Sequence, residues 1–226
     1  SSRCLKGRYA ISLFGTIRFM RRDMDKLGNI TLYNADCMDI MRDMPDKAFD
    51  LAIVDPPYGI DINPNMGLGK GQRKRHKNIG WDKQTPPPEY FDELFRVSKN
   101  QIIWGGNYFN LPPCKHFIFW DKMMPKGLSF SDGEMAWTSF NRAIRKFSYA
   151  NTYDGKIHPT QKPVALYKWL LTNYAKDGDK ILDTHLGSGS ICIACHDLGF
   201  EMTGIELDRD YYEAAKKRIN YVLIRL

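Results

Sequence analysis

The sequence is short of cysteine, of long apolar runs and of internal repeats, and each shortage removes a class of protein. Five cysteines in 226 residues are an odd number scattered along the chain, unlike the framework of a disulfide-stapled domain. Cys192 and Cys195 make one CxxC, but no second pair and no suitably spaced histidine pair follows, and a structural zinc needs four ligands. They read as small buried residues of a helix, and no metal site is expected. The longest apolar tract near the start, AISLFGTI, falls well short of the ~20 residues that span a bilayer. It also lacks a small-residue cleavage site, so no membrane partner is expected and the cytoplasm is the default location. Acidic residues are in deficit too. The 26 Asp+Glu against 33 Lys+Arg leave a formal charge of +7, which suits a polyanionic partner.

What is present suffices for one core: 43% of residues are hydrophobic and 13% aromatic, enough for a single domain of this length. Residues 1–28 are basic and aperiodic and are expected to be an extension or leader, with Met20 or Met24 as candidate starts, so that residues 29–226 form the domain. From Ile30 the pattern reads as a short strand, a helix with apolar positions at Met38, Met41 and Met44, and a strand from Phe49 to Val54. After a glycine-rich, basic stretch, PPPEYFDELFRVSKN reads as a helix with a proline entry, and QIIWGG and KHFIFWDK as strands. Glu134 to Tyr149 alternates apolar and basic residues and is expected to be a half-exposed hairpin. The last third returns to alternating helices and strands: a helix from Pro163, KILD, a glycine turn, ICIACHDLG, EMTGIE and YYEAAKKRINYVL. This rhythm predicts an α/β fold, doubly wound around a mostly parallel sheet covered on both faces.

Two stretches carry chemistry. In LAIVDPPYG, an apolar strand stops at Asp55, and Pro56, Pro57 and Tyr58 follow with no room for an ordinary turn. In ILDTHLGSGSICIACHDLGFEMTGIELD, Asp183 ends a strand, Gly187 and Gly189 form the turn into a helix, and Glu206 ends the next strand. Glycines there let a ligand approach the backbone, and an acid about 20 residues on accepts both hydroxyls of a ribose. The turn is not GxGxxG, and a single GxG with Ser188 and Ser190 suits a nucleoside cofactor without a pyrophosphate. A sulfonium cofactor would explain the first stretch. An exocyclic base amine is a poor nucleophile because its lone pair is delocalised into the ring. Acceptors at the Asp55 carboxylate and the Pro56 carbonyl would stabilise positive charge as it develops there. The prolines hold that backbone in advance, and Tyr58 offers a ring to stack on a base that has left its duplex.

Together these residues resemble the amino-group DNA methyltransferases that use S-adenosylmethionine. The resemblance rests on DPPY at Asp55 to Tyr58, DTHLGSGS in the place of the family's cofactor loop, and HPTQKP at His158 to Pro163 before a helix. WDK at Trp81, WGGNYF at Trp104 to Phe109 and SDGEMAWTS at Ser131 to Ser139 resemble small phage-type members. DPPY precedes the cofactor loop, as in the permuted β-class. One departure stands out: the family's usual Phe in the cofactor loop is His185 here, followed by Leu186.

The resemblance implies a Rossmann-like fold and roles by position. Asp55, Pro56, Pro57 and Tyr58 would be catalytic. Asp183, Gly187 and Gly189 would hold the amino-acid part of the cofactor, Glu206 its ribose, and Asp36 would lie near its adenine, while Thr160 and Lys162 reach its carboxylate. His158 reads as a structural histidine or a residue that packs on the cofactor loop, rather than as a base. Phosphate contacts are expected from Lys70, Arg73, Lys74, Arg75 and Lys77, and from Arg142, Arg145 and Lys146, which are interleaved with Phe140, Phe147 and Tyr149. Sequence choice would come from segments 60–80 and 121–157 or from a homodimer partner. The implied activity is methylation of the adenine 6-amino group in DNA. Its rivals are the cytosine 4-amino group, for which the family more often has Ser at the position of Asp55, an RNA target, and a catalytically silent binding protein.

Overall fold

The computed structural model describes residues 23–61, 82–124, 131–150 and 161–224. Among them, nine strands form one sheet: β1 (Asp23–Leu27), β2 (Ile30–Asn34), β3 (Phe49–Val54), β4 (Ser98–Trp104), β5 (Phe117–Asp121), β6 (Gly133–Thr138), β7 (Arg145–Ser148), β8 (Lys180–Asp183) and β9 (Glu201–Glu206). Their order across the sheet is β1-β2-β9-β8-β3-β4-β6-β5-β7. Five consecutive strands, β2-β9-β8-β3-β4, are parallel. Helices α1 (Cys37–Met41), α2 (Pro88–Val97), α3 (Val164–Tyr174) and α4 (Ser190–Leu198) lie in the connections between strands, and α5 (Arg209–Leu223) follows the last strand.

Both faces of the parallel strands are buried, which is why they read as continuous apolar runs rather than alternating ones. Along β3, Leu51 and Ile53 belong to a core shared with α3, α4 and α5. Ala52 and Val54 belong to a second core under α1 and α2. Cys192 and Cys195 are fully buried in α4 within the first of these cores. No helix among the described residues is long and apolar enough to cross a membrane.

Three expectations change. The sheet begins at Asp23, inside the stretch expected to be a leader: β1 pairs antiparallel with β2 across the turn Gly28-Asn29, where Gly28 takes a left-handed φ of 61°. Helix α1 is a single short segment that ends at Met41, so Met44 lies beyond it. The expected hairpin between Glu134 and Tyr149 does not form. β6 lies between β4 and β5 and pairs antiparallel with both, whereas β7 pairs parallel with β5 at the edge of the sheet. With both its edges hydrogen-bonded, β6 buries Ala136, Trp137 and Thr138, and the half-exposed pattern belongs to β7 alone.

This topology puts the charged ends together. Parallel β3, β8 and β9 all deliver their carboxyl ends to one edge, with Leu51 opposite Ile181 and Leu182 opposite Thr203. Because β6 runs against β4, its beginning, Glu134, lies on that same edge. Because β5 runs against β6, its end lies there too, with Trp120 paired to Glu134 and Asp121 to Gly133.

Candidate active site

A cavity of about 720 Å³ crosses the carboxyl ends of β2, β9, β8 and β3. Its wall includes Asp36 and Cys37 after β2, Glu206 at the end of β9, Thr184, His185 and Gly187 after β8, and Asp55 and Pro57 after β3, with Tyr90 from α2, Tyr167 from α3 and Gln161 and Lys162 from the entry to α3. Such a crevice at strand ends is the usual ligand site of an open parallel sheet.

At the β9 side the carboxylates are held by backbone. Glu206 accepts from the Gly187 N–H at 2.8 Å through Oε2 and from the Asp208 N–H at 2.9 Å through Oε1. Burial raises its pKa above the ordinary glutamate value against those hydrogen bonds. Each oxygen keeps a second lone pair for a ligand hydroxyl. Asp36 caps α1 by accepting from Met38 N at 2.8 Å. Asp183 lies just behind the wall, 2% exposed, and accepts from His185 N at 3.0 Å. Burial, with the nearby Asp55 and Glu206 charges, pushes its carboxyl up to about 8. The two glycines of the turn differ. Gly187 N–H is spent on Glu206, while Gly189, at φ 68°, packs against α5, where a Cβ would come within 3.1 Å of Ile219 and 3.3 Å of Ala215. Gly189 therefore serves the turn and its packing rather than the cavity wall.

His185, the departure from the family pattern, stands edge-on to the Tyr90 ring with centroids 5.3 Å apart. Thr184 Oγ1 lies 2.6 Å from the Tyr90 hydroxyl and 2.9 Å from His185 Nδ1. Burial lowers the imidazole pKa to about 4, so the ring is neutral and fills the place of an aromatic side chain.

The β3 side is built from side-chain charges. Lys162 Nζ sits 2.5 Å from Asp55 Oδ2 and 2.9 Å from Glu134 Oε2, over the Trp104 ring at 5.1 Å. Lys122 Nζ lies 2.6 Å from the other Glu134 oxygen. The Tyr58 hydroxyl donates to Asp55 Oδ1 at 2.5 Å. Burial pushes the Asp55 carboxyl above its ordinary value, with Lys162 opposing and Glu134 adding to the rise. Burial works in the same direction on Glu134, but Lys162 and Lys122 outweigh it and hold that carboxyl at about 2. Burial acts to lower the Lys162 pKa, and its two carboxylates more than reverse this. Lys162 is thus a buried ammonium between two carboxylates.

The DPPYG backbone is fixed from outside. Asp82 accepts from Tyr58 N at 2.6 Å and from Gly59 N at 3.1 Å. The Tyr58 ring stacks on Tyr108 at 5.0 Å and 10°. It lies so close to Gly105 that a Cβ there would stand 2.2 Å from its ring.

The structure brings together Asp36, Asp55, Pro57, Lys162, Gly187 and Glu206 on one cavity, with Pro56, Tyr58 and Asp183 next to its lining residues. It does not bring Arg142 there. Arg142 donates to Asn173 O at the end of α3 and stacks on Tyr174, at the opposite end of that ~16 Å helix from Lys162. Lys146 pairs with Asp121 at 2.7 Å, and Arg145 is exposed on the edge strand. Thr160, His158, Lys70, Arg73, Lys74, Arg75 and Lys77 lie outside the described residues. Lys122, Glu134, Asp82 and Tyr90 were not singled out by sequence. The available signal was an acid at the head of a buried strand in SDGEMAWTS and another in WDK. Among the described residues no cluster of His, Cys, Asp and Glu is arranged to hold a metal ion.

Residues 103–217 match a family profile described as DNA methylase. The type II methyltransferase M2.DpnII of Streptococcus pneumoniae is 32% identical over 158 residues, covering 68% of this chain and 54% of that protein. The chain thus spans about half the length of that relative, and the same share of M2.LlaDCHI of Lactococcus lactis subsp. cremoris. Among solved structures, the M1.HpyAVI-SAM complex superposes with a TM-score of 0.57 at 23% identity, covering 84% of this chain and 99% of that one. The likeness to that structure is one of fold.

Proposed function

The chain belongs to the DNA methylase family, and on that premise we propose that it methylates the 6-amino group of an adenine turned out of DNA, with S-adenosylmethionine as methyl donor. The observation that carries this reading is that one cavity joins Glu206 to Asp55: an acid suited to a ribose and an acid suited to an amine share one space. Glu206, whose two oxygens each keep a lone pair, would take the ribose hydroxyls. Asp36 and Cys37 would flank the cofactor's adenine, and Asp183, Thr184 and His185 its methionine end. When bound, the cofactor supplies an electrophilic methyl group on a sulfonium.

The chain's own residues then do three things. Asp55 and the Pro56 carbonyl accept from the target amine and stabilise the positive charge that grows on nitrogen. Asp55 can do so while Tyr58 and Lys162 stay bound, because each carboxylate oxygen has two acceptor sites. Tyr58 and Tyr108, already stacked, give an aromatic platform beside the acid. No strong base is needed, since the alkylated nitrogen is acidic. The acid at position 55 supports adenine over cytosine, and the order of DPPY before the cofactor loop supports the permuted β-class.

Incubating duplex DNA with the protein and S-adenosylmethionine, then digesting it to nucleosides for mass spectrometry, tests the reading. N6-methyladenine is expected. N4-methylcytosine would transfer the proposal to the other base, and no methylated base would leave a binding protein. For DNA contact we propose the run from Lys70 to Lys77. Replacing Lys74 and Arg75 by Ala is expected to flatten the dependence of log affinity on log salt by about one unit per lost phosphate contact. An unchanged slope would remove the run from the interface.

A further inference from the structure

We propose that Glu134, backed by Lys122, is a positioning residue that keeps Asp55 able to accept the target amine by taking a share of the Lys162 ammonium. The inference rests on the methyl-transfer reading for its purpose, but its physical content is a charge arrangement that exists without any ligand.

Asp55 meets its cation on one side only. Lys162 Nζ, with a side chain 1% exposed, lies 2.5 Å from Asp55 and 2.9 Å from Glu134. A buried ammonium with a single carboxylate partner would form an isolated, tightly neutralised pair, and the carboxylate would be a weak acceptor toward a third group. A second carboxylate changes this, because the same ammonium must then serve both and neither is fully neutralised. Lys122 completes the row on the far side of Glu134 at 2.6 Å, so the order is Lys122, Glu134, Lys162, Asp55, with alternating signs and no net charge. The row spans β5, β6, the entry to α3 and the end of β3, and only the insertion of β6 between β4 and β5 makes it contiguous.

Other groups facing Asp55 do not reproduce the effect. Tyr58 donates a neutral hydrogen bond. Tyr90 and Tyr167 are buried phenols whose pKa values are raised well above the ordinary value, so they stay neutral. Asp183, at the end of the neighbouring β8, is held up near 8. Glu134 is the half-buried carboxylate that shares a cation with Asp55.

The row makes opposite demands on two variants. In Glu134→Gln, Lys162 is left to Asp55 alone and the Asp55 pKa falls. In Lys122→Met, Glu134 draws harder on Lys162 and the Asp55 pKa rises. A merely structural role for either residue would move both midpoints the same way or not at all.

The test uses the intact chain without cofactor or DNA, labelled with carboxyl-13C aspartate, the Asp55 resonance being assigned by its loss in Asp55→Asn. The expected result is a titration midpoint lower than wild type in Glu134→Gln and higher in Lys122→Met. At saturating cofactor and DNA, the acid limb of the turnover-pH profile is expected to move in the same two directions, with KM for the cofactor unchanged. If Glu134→Gln fails to fold, Lys122→Met, which alters a side chain 17% exposed, carries the test by itself: an unmoved or lowered midpoint overturns the proposal. Methylation with midpoints that do not move also overturns it. Midpoints that move as stated in a protein that methylates nothing would uphold the charge sharing and overturn the methyl-transfer reading instead.

Discussion

The two ends of the cavity hold their carboxylates by different means. At the β9 end, Glu206, Asp36 and Asp183 accept from backbone N–H groups of the turns that follow their own or neighbouring strands. At the β3 end, Asp55 is met by Lys162 and Tyr58, both side chains. Backbone donors cannot rotate away, so they fix an acceptor in one orientation, which the proposed recognition of ribose hydroxyls requires. Side-chain partners carry charge and proton-donating ability, so they can adjust how much negative charge an acid shows to a reacting group. On the proposed reading, binding is built into the turns and chemistry into the packing between layers.

Replacing Asp55 by Ala strikes the second end and is expected to cost the most, on the order of 10²–10³-fold in turnover, as when one preorganised partner is removed from a reacting centre. Cofactor affinity should survive, since Glu206 and the glycine turn are untouched. Single-turnover methylation alongside calorimetric titration separates the two, and a near-normal rate would erase the contrast.

Glu206→Ala strikes the first end. It leaves the Gly187 and Asp208 N–H groups without their acceptor and removes the proposed ribose partner, with an expected loss of ~1.5–3 kcal/mol in cofactor binding. Calorimetry showing unchanged affinity would remove Glu206 from the site.

The first end should also respond to pH. With its carboxyl raised to about 8, Asp183 is protonated below that value and anionic above it. If it accepts from the cationic group of the cofactor's methionine, affinity rises with pH through about 8 and falls by up to about tenfold for each unit below it. Binding should release a proton, measurable as a dependence of the calorimetric heat on the buffer. Asp183→Asn should abolish both effects. The sign for stability is opposite: the folded state binds this proton more tightly than the unfolded one, so the contribution of Asp183 to stability declines as pH rises from near 4 to about 8.

The smallest effect sharpens the comparison by disturbing how Asp55 is held without touching any charge. Gly105 sits at φ 69°, with room for nothing beside the Tyr58 ring. Gly105→Ala should cost ~1–2 kcal/mol for the left-handed backbone alone and displace Tyr58 from Asp55. A lowered melting temperature with weakened DNA binding and intact cofactor binding is expected. Equal loss at both ends would mean the ends are not separate.

Much of the first end was legible in the sequence because its determinants are local. A strand, a glycine turn and an acid at the end of the next strand lie within one β-α-β unit, and β8, α4 and β9 form as that pattern requires. The glycines were legible as turn residues, but not their separate duties, since only the position of α5 shows that Gly189 faces Ile219 and Ala215. Asp23 to Leu27 was not legible as a strand. Its exposed, charged residues gain their place by pairing with β2 rather than by burying a face. Arg142 is expected to contact phosphate because the basic residues there are interleaved with aromatic ones; the fold packs it over Phe140 and ties it to the far end of α3.

The sequence by itself determined that strands would end in Asp55, Asp183 and Glu206, and that a doubly wound sheet would bring these ends to one edge, because hydrophobic period and turn chemistry are properties of short segments. Only the tertiary structure decided what Asp55 touches. Lys162 is 107 residues away from it, and Glu134 reaches Lys162 because β6 entered the sheet between β4 and β5 instead of folding back on β7. A period of two says that a segment is a strand but not which neighbours it will pair with. That choice depends on which faces remain to be covered once the whole chain is packed.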